Sequence, residues 1–170
     1  TNAQSRQMED ILRKKNLPYR IYGSLRFYDR SEIKDILAYC RLLVNKDDDV
    51  AFKRVINQPP RGIGKKAVET IEQSAFTQDE SMFQITQKMV DEGIPRLSAK
   101  LSSFLKIIAS LEQTLATKSL SSLIPDLLDL VDYKGWVAKK YPEQLQDKMS
   151  NLYELATAVS EYESEKENAS

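Results

Sequence analysis

Histidine is absent from this 170-residue sequence, and cysteine occurs once, at Cys40. Zinc sites, Ser-His-Asp and Cys-His arrangements and histidine general bases are thereby excluded. A lone cysteine also excludes an internal disulfide and suits a reducing compartment. No apolar run approaches the ~20 residues needed to span a bilayer, so no membrane partner is expected. Glycine is scarce at five residues, yet two of the five stand one residue apart at Gly62 and Gly64, just after Pro59 and Pro60. The length suits one domain, or one plus a fragment of another, with a real core.

Net charge is zero, which argues against a polyanion partner until its distribution is read. Residues 1–66 carry 15 Lys/Arg against 8 Asp/Glu, and residues 67–170 carry 10 against 17. A basic first half suits a polyanion, while the acidic second half faces away or meets a protein.

The stretch Pro59-Pro60-Arg61-Gly62-Ile63-Gly64-Lys65-Lys66-Ala67 organises the chain. Val50, Phe52, Val55 and Ile56 recur at helical spacing before it; Ala67, Val68, Ile71 and Ala75 do so after it. The prolines stop the first helix, since a proline ring removes a donor and the residue before it avoids αR. Gly62 and Gly64 are expected to supply positive φ and to let a ligand approach the backbone. The amides of Gly64, Lys65 and Lys66 open the second helix, where orphan donors and the dipole favour an anion. No carboxylate lies between Asp49 and Glu69, whereas Lys53, Arg54, Arg61, Lys65 and Lys66 all do. The pattern is not a nucleotide P-loop: the glycines are too close together, Lys66 stands where Ser or Thr is needed, and no strand precedes it. It suits a phosphate of DNA rather than those of ATP. The competing reading is a tight turn flanked by solvated lysines.

Helices are expected throughout. Residues 1–15 carry the stripe Met8, Ile11 and Leu12; residues 17–23 read as a short strand around Tyr19–Tyr22 or an extended link, ended by Gly23-Ser24. Asp29 as N-cap with Glu32 three residues later forms a capping box for a helix that buries Ile33, Ile36, Leu37, Cys40, Leu43 and Val44. Further helices are expected over 47–57, 65–76, 81–91, 98–117, 119–131 and 133–141, with a last one after Pro142. Asp47-Asp48-Asp49 reads as helix capping rather than a metal site. The tail 161–170 has no stripe after Tyr162 and is expected to fray. The expected fold is all-α, with at most one orphan strand. The start without a strand or an initiator Met gives the look of a piece of something larger.

These residues in order resemble the UvrD/PcrA/Rep helicases of superfamily one. The resemblance runs from Thr1-Asn2-Ala3-Gln4-Ser5-Arg6 through Pro18-Tyr19-Arg20-Ile21-Tyr22-Gly23 to Phe27-Tyr28-Asp29-Arg30-Ser31-Glu32-Ile33-Lys34-Asp35. It continues through Ala38-Tyr39, Arg41-Leu42, Asn45, Asp48-Asp49, Asn57, Pro59 and Arg61-Gly62-Ile63-Gly64, then thins to Asn151-Leu152 and Glu154-Leu155. Ser24 and Cys40 depart from the usual Gly and Leu, and the Arg usual just before Asn151 is absent.

The resemblance implies that residues 1–18 end the first segment of motor domain 2A, and that residues 19–170 form the inserted, multi-helix 2B domain with its helix-hairpin-helix element. It implies that Arg61, Gly62, Ile63 and Gly64 grip the duplex backbone, with Lys65 and Lys66 added by the residue argument, and that Asn2 touches single-stranded DNA. The parent would be a 3′–5′ ATP-dependent DNA helicase using ATP and Mg2+, in the bacterial cytoplasm at the nucleoid. The motifs for that chemistry lie outside these residues, so no cofactor is expected here and the chain alone should be inert. Expected partners are duplex DNA beside a single-stranded tail, the helicase's own motor domains, and repair or replication proteins. The alternative is a helical protein-interaction or autoinhibitory domain without DNA contact.

Overall fold

A computed structural model describes residues 3–14 and 24–169. Among them lie ten α-helices and no strand: α1 Ala3–Lys14, α2 Ser24–Asp29, α3 Ser31–Val44, α4 Asp49–Val55, α5 Lys65–Gln78, α6 Met82–Glu92, α7 Leu97–Thr117, α8 Leu123–Leu130, α9 Tyr133–Lys140 and α10 Leu145–Ala169. Two 3-10 turns, Leu120–Ser122 and Pro142–Gln144, lead into α8 and α10. The expected all-α class holds. The expected strand around Tyr19–Tyr22 lies outside the described residues.

Helix α3 is the axis of the domain. Its residues are buried on almost every side, with Ile33, Ile36, Tyr39, Cys40 and Leu42 fully so, and α1, α2, α4, α7 and α10 all pack on it. An amphipathic surface helix would show one apolar stripe; burial all round instead marks a central helix. The buried face is not purely apolar. Glu32 accepts from Lys148 Nζ (3.3 Å) and Asn151 Nδ2 (2.9 Å) of α10. Asp35 accepts from Arg54 Nε (2.9 Å), Gln58 Nε2 (3.3 Å) and Tyr133 Oη (2.8 Å). Buried carboxylates persist where donors replace the lost water.

Glu32 thereby corrects one expectation. The residue before α3 is Arg30, which has no acceptor to offer, and no side-chain cap forms there. The capping box fails because Asp29 instead closes α2, a short helix pinned by buried Phe27 and Tyr28, edge to face at 5.6 Å.

Local signals placed other boundaries well. The Asp48 side chain accepts from Ala51 N and caps α4, while Asp49 accepts from Met82 N at 2.9 Å, tying α4 to the start of α6. The aspartate run is therefore used in capping. Ser81 and Gln84 form a full capping box at α6, and Gly93 closes that helix at φ +71. The tail is a second correction. Helix α10 continues to Ala169, and Glu163, 7% exposed, accepts from Leu120 N (2.5 Å) and Ser121 N (3.2 Å). The orphan amides that start the 3-10 turn thus find their acceptor 43 residues downstream. The buried Tyr162 phenol donates to Asp10 of α1, so α10 is fastened at its C-terminal part as well.

Candidate nucleic-acid interface

Helix α4 buries Ala51, Phe52 and Val55 and then stops, leaving carbonyls at its C-terminus without helical partners. Arg61 folds back beneath them. Its Nη1 donates to Val55 O (2.5 Å) and Ile56 O (2.8 Å), and its Nη2 donates to the Tyr39 hydroxyl (2.6 Å). That hydroxyl in turn donates to Gln58 O at 2.6 Å. The guanidinium also lies 5.3 Å from the centroid of Phe104, whose ring meets Phe52 edge to face at 5.7 Å. Burial pushes the Tyr39 phenol above its ordinary range, partly opposed by Arg61, so it stays protonated and able to donate.

Asn57 fixes the next level: its Oδ1 accepts from the amides of Arg61 (2.7 Å) and Ile63 (3.2 Å), a side-chain turn of the kind asparagine favours. Ile63, 1% exposed, is the peg that plugs the turn into the core. Gly62 sits at φ +77, a left-handed conformation that suits glycine. Gly64 does not: at φ −75 and ψ 171 it is extended, so the expectation of positive φ at both glycines holds for Gly62 alone. Gly64 is the N-cap of α5, without a side chain to cap it, and a Cβ there would meet nothing within 4 Å. The amides of Lys65, Lys66 and Ala67 are left as orphan donors at the helix start, with roughly half a positive charge from the dipole behind them.

The cations divide into two groups. Lys53 is paired with Glu72 (2.7 Å) and Arg54 with Asp35 (2.9 Å); with Arg61 turned inward, three of the five in the carboxylate-free stretch serve the fold. Lys65 and Lys66 are exposed on the first turn of α5, where no acidic residue stands. Lys65 is 90% exposed and only 4.0 Å from Glu69 at its nearest, too loose a contact to neutralise it. The structure brings Gly62, Gly64, Lys65 and Lys66 to one exposed ridge, with Ile63 and the Arg61 side chain below it. Asn2 lies outside the described residues.

Sequence reasoning missed Lys100 of α7, whose Nζ donates to Gly62 O at 3.1 Å across 38 residues of chain. It also gave no role to Tyr39, Asn57 or Phe104 beneath the hairpin. Asn57 directly before Gln58 and the prolines was the one local sign, since asparagine there offers a side-chain acceptor to a turn.

What these elements define is an all-α domain that presents an open helix start beside exposed lysines. A family model described as UvrD-like helicase C-terminal domain matches residues 1–170, and the chain belongs to that family. It is 37% identical over 169 residues to the ATP-dependent DNA helicase PcrA of Bacillus subtilis, covering 99% of this chain and 23% of that protein. It is 34% identical over 164 residues to DNA helicase II of Escherichia coli, covering 95% of this chain and 23% of that protein. The PcrA of Staphylococcus epidermidis is 33% identical over 164 residues, covering 96% and 22%. The chain therefore spans less than a quarter of the length of these relatives.

Proposed function

We propose that this chain is a duplex-DNA-binding, regulatory domain of an ATP-dependent 3′–5′ DNA helicase, gripping the phosphate backbone at the hairpin between α4 and α5. Residues 1–18 would belong to motor domain 2A and residues 19–170 to the inserted 2B domain, with Asn2 on the single strand. The observation that carries the reading is the open start of α5. Gly64 leaves its amides accessible, Lys65 and Lys66 flank them, and no acid stands in the first turn. Gly62 and Ile63 shape the ridge, and Arg61 holds it from below.

Such contacts read charge rather than bases, so unrelated duplexes should bind alike. Affinity should fall in the non-specific range, about 10⁻⁴–10⁻⁶ M at physiological salt. ATP and Mg2+ would act in the parent's motor domains, and the chain alone should neither bind nor hydrolyse ATP. The parent would work in the bacterial cytoplasm at the nucleoid, beside repair or replication proteins.

The test is fluorescence anisotropy of a duplex carrying a single-stranded tail, at several salt concentrations. Replacing Lys65 and Lys66 together by Ala should flatten the log–log salt slope by about two. An unchanged slope in that variant, still folded, would mean that the hairpin is only a turn and would favour a protein-interaction role.

A further inference from the structure

Lys100 stands on α7, remote in sequence from the hairpin, yet its side chain lies across Gly62. Its Nζ is 3.1 Å from Gly62 O, and a Cβ on Gly62 would meet its Cε and Nζ at 3.2 Å. Gly62 is thus small for two reasons: its backbone is left-handed, and a lysine occupies the space where a side chain would stand.

The ammonium has no carboxylate partner among the described residues. Three other long cations near the hairpin are committed, Lys53 to Glu72, Arg54 to Asp35 and Arg61 to main-chain carbonyls, which leaves Lys65 and Lys66 beside Lys100. A lysine ammonium carries three donors, and the Gly62 carbonyl takes one. Lys100 is exposed, so the remaining two are open to solvent. Gly62 and Gly64 are two residues apart, so at most about 7 Å of chain separates the carbonyl that Lys100 touches from the open start of α5.

We propose that Lys100 is a third phosphate-binding cation of this interface, supplied by α7 rather than by the hairpin. The inference rests on the hairpin reading above and extends it. The grip then has two supports: the start of α5 with Lys65 and Lys66, and at Gly62 a lysine from a separate helix. Its single exposed hydrogen bond to a neutral carbonyl is weak, because water competes for both partners, so redirecting the ammonium to a phosphate costs little. The carbonyl bond holds the ammonium at the site before any anion arrives, which reduces the ordering that binding requires.

Four variants of the chain, Lys100→Gln, Lys100→Ala, Lys100→Arg and the double Lys65→Ala/Lys66→Ala, are compared by anisotropy across a salt series, with melting curves alongside. Lys100→Gln keeps a donor for Gly62 O but removes the charge. The expected result is a salt slope lower by about 0.9 in both neutral variants, restored in Lys100→Arg, with melting of Lys100→Gln unchanged. A purely structural lysine would instead shift the melting of Lys100→Ala and leave the slopes of the Lys100 variants alone. If the double variant flattens the slope and Lys100→Gln does not, the role given to Lys100 is wrong and the hairpin reading stands. If neither changes the slope, both fall.

Discussion

The Tyr39 hydroxyl and the Arg61 guanidinium meet at 2.6 Å beneath the hairpin, joining the central helix to the turn that follows α4. The pair makes the hairpin an extension of the core rather than a free loop. An arginine that sequence reads as a surface cation is here a cap for the end of α4.

Arg61→Ala should therefore act mainly on stability. It strips the guanidinium donors from Ile56 O and the Tyr39 hydroxyl at once, while Val55 O keeps only the Gln58 amide at 3.1 Å and a long contact to Tyr39, and leaving a buried polar group unsatisfied costs about 1–3 kcal/mol. Thermal melting followed by circular dichroism should drop by several degrees, at ~2–4 °C per kcal/mol for a chain of this size. Melting like that of the unmodified chain, with DNA binding lost, would show that Arg61 works at the ligand instead.

The two hairpin glycines should separate cleanly. Gly62→Ala forces a Cβ into left-handed backbone, about 1–2 kcal/mol, and against Lys100, so it should lower the melting temperature. Gly64→Val has free space and an extended backbone, so the fold should be unaffected while DNA affinity falls, because the branched side chain screens the amides of α5. Both are read by parallel melting and anisotropy curves; a destabilised Gly64→Val with normal affinity would contradict the arrangement.

Glu163→Ala should loosen the link between α7 and α8. The amides of Leu120 and Ser121 lose their acceptor, and their hydrogen exchange should accelerate by roughly one to two orders of magnitude, the equivalent of about 1–3 kcal/mol. Exchange at α4 and α5 serves as the internal reference and should not change.

Alkaline pH should unfold the domain through its tyrosines. Burial raises the phenols of Tyr28, Tyr39 and Tyr133, and that of Tyr162 to about 12, from an ordinary value of 10.0. A folded-state pKa above the unfolded one gives stability that is complete below pH 10.0 and lost as pH rises beyond it. A spectrophotometric titration should show two phases, the later one coinciding with loss of helix; a single ordinary phase would refute it. Tyr133→Phe should leave Asp35 one donor short and lower stability at neutral pH as well.

Much of this was legible in the sequence because the signals were local. Pro59, Pro60, Gly62 and the aspartate run at 47–49 each act on the backbone within a few residues, and they marked the hairpin and the start of α4. The inward turn of Arg61 was not legible, since it depends on Tyr39, 22 residues earlier, and on Phe104 in α7. Lys100 was hidden for the same reason. Helix α2 lacked a cap signal and is held by Phe27 and Tyr28 packing, and the helical tail depends on what Glu163 caps far upstream.

Cys40 is the only thiol in the chain, and it sits fully buried in the middle of α3. Burial pushes it up to about 12, so in the folded protein it is both shielded and protonated. The native sequence is thus already a silent background for dye chemistry: one cysteine engineered on the exposed ridge, at Lys66 for instance, would react alone. The same thiol is a clock for the core, because a small alkylating reagent can reach it only when α3 itself opens, whatever the hairpin is doing.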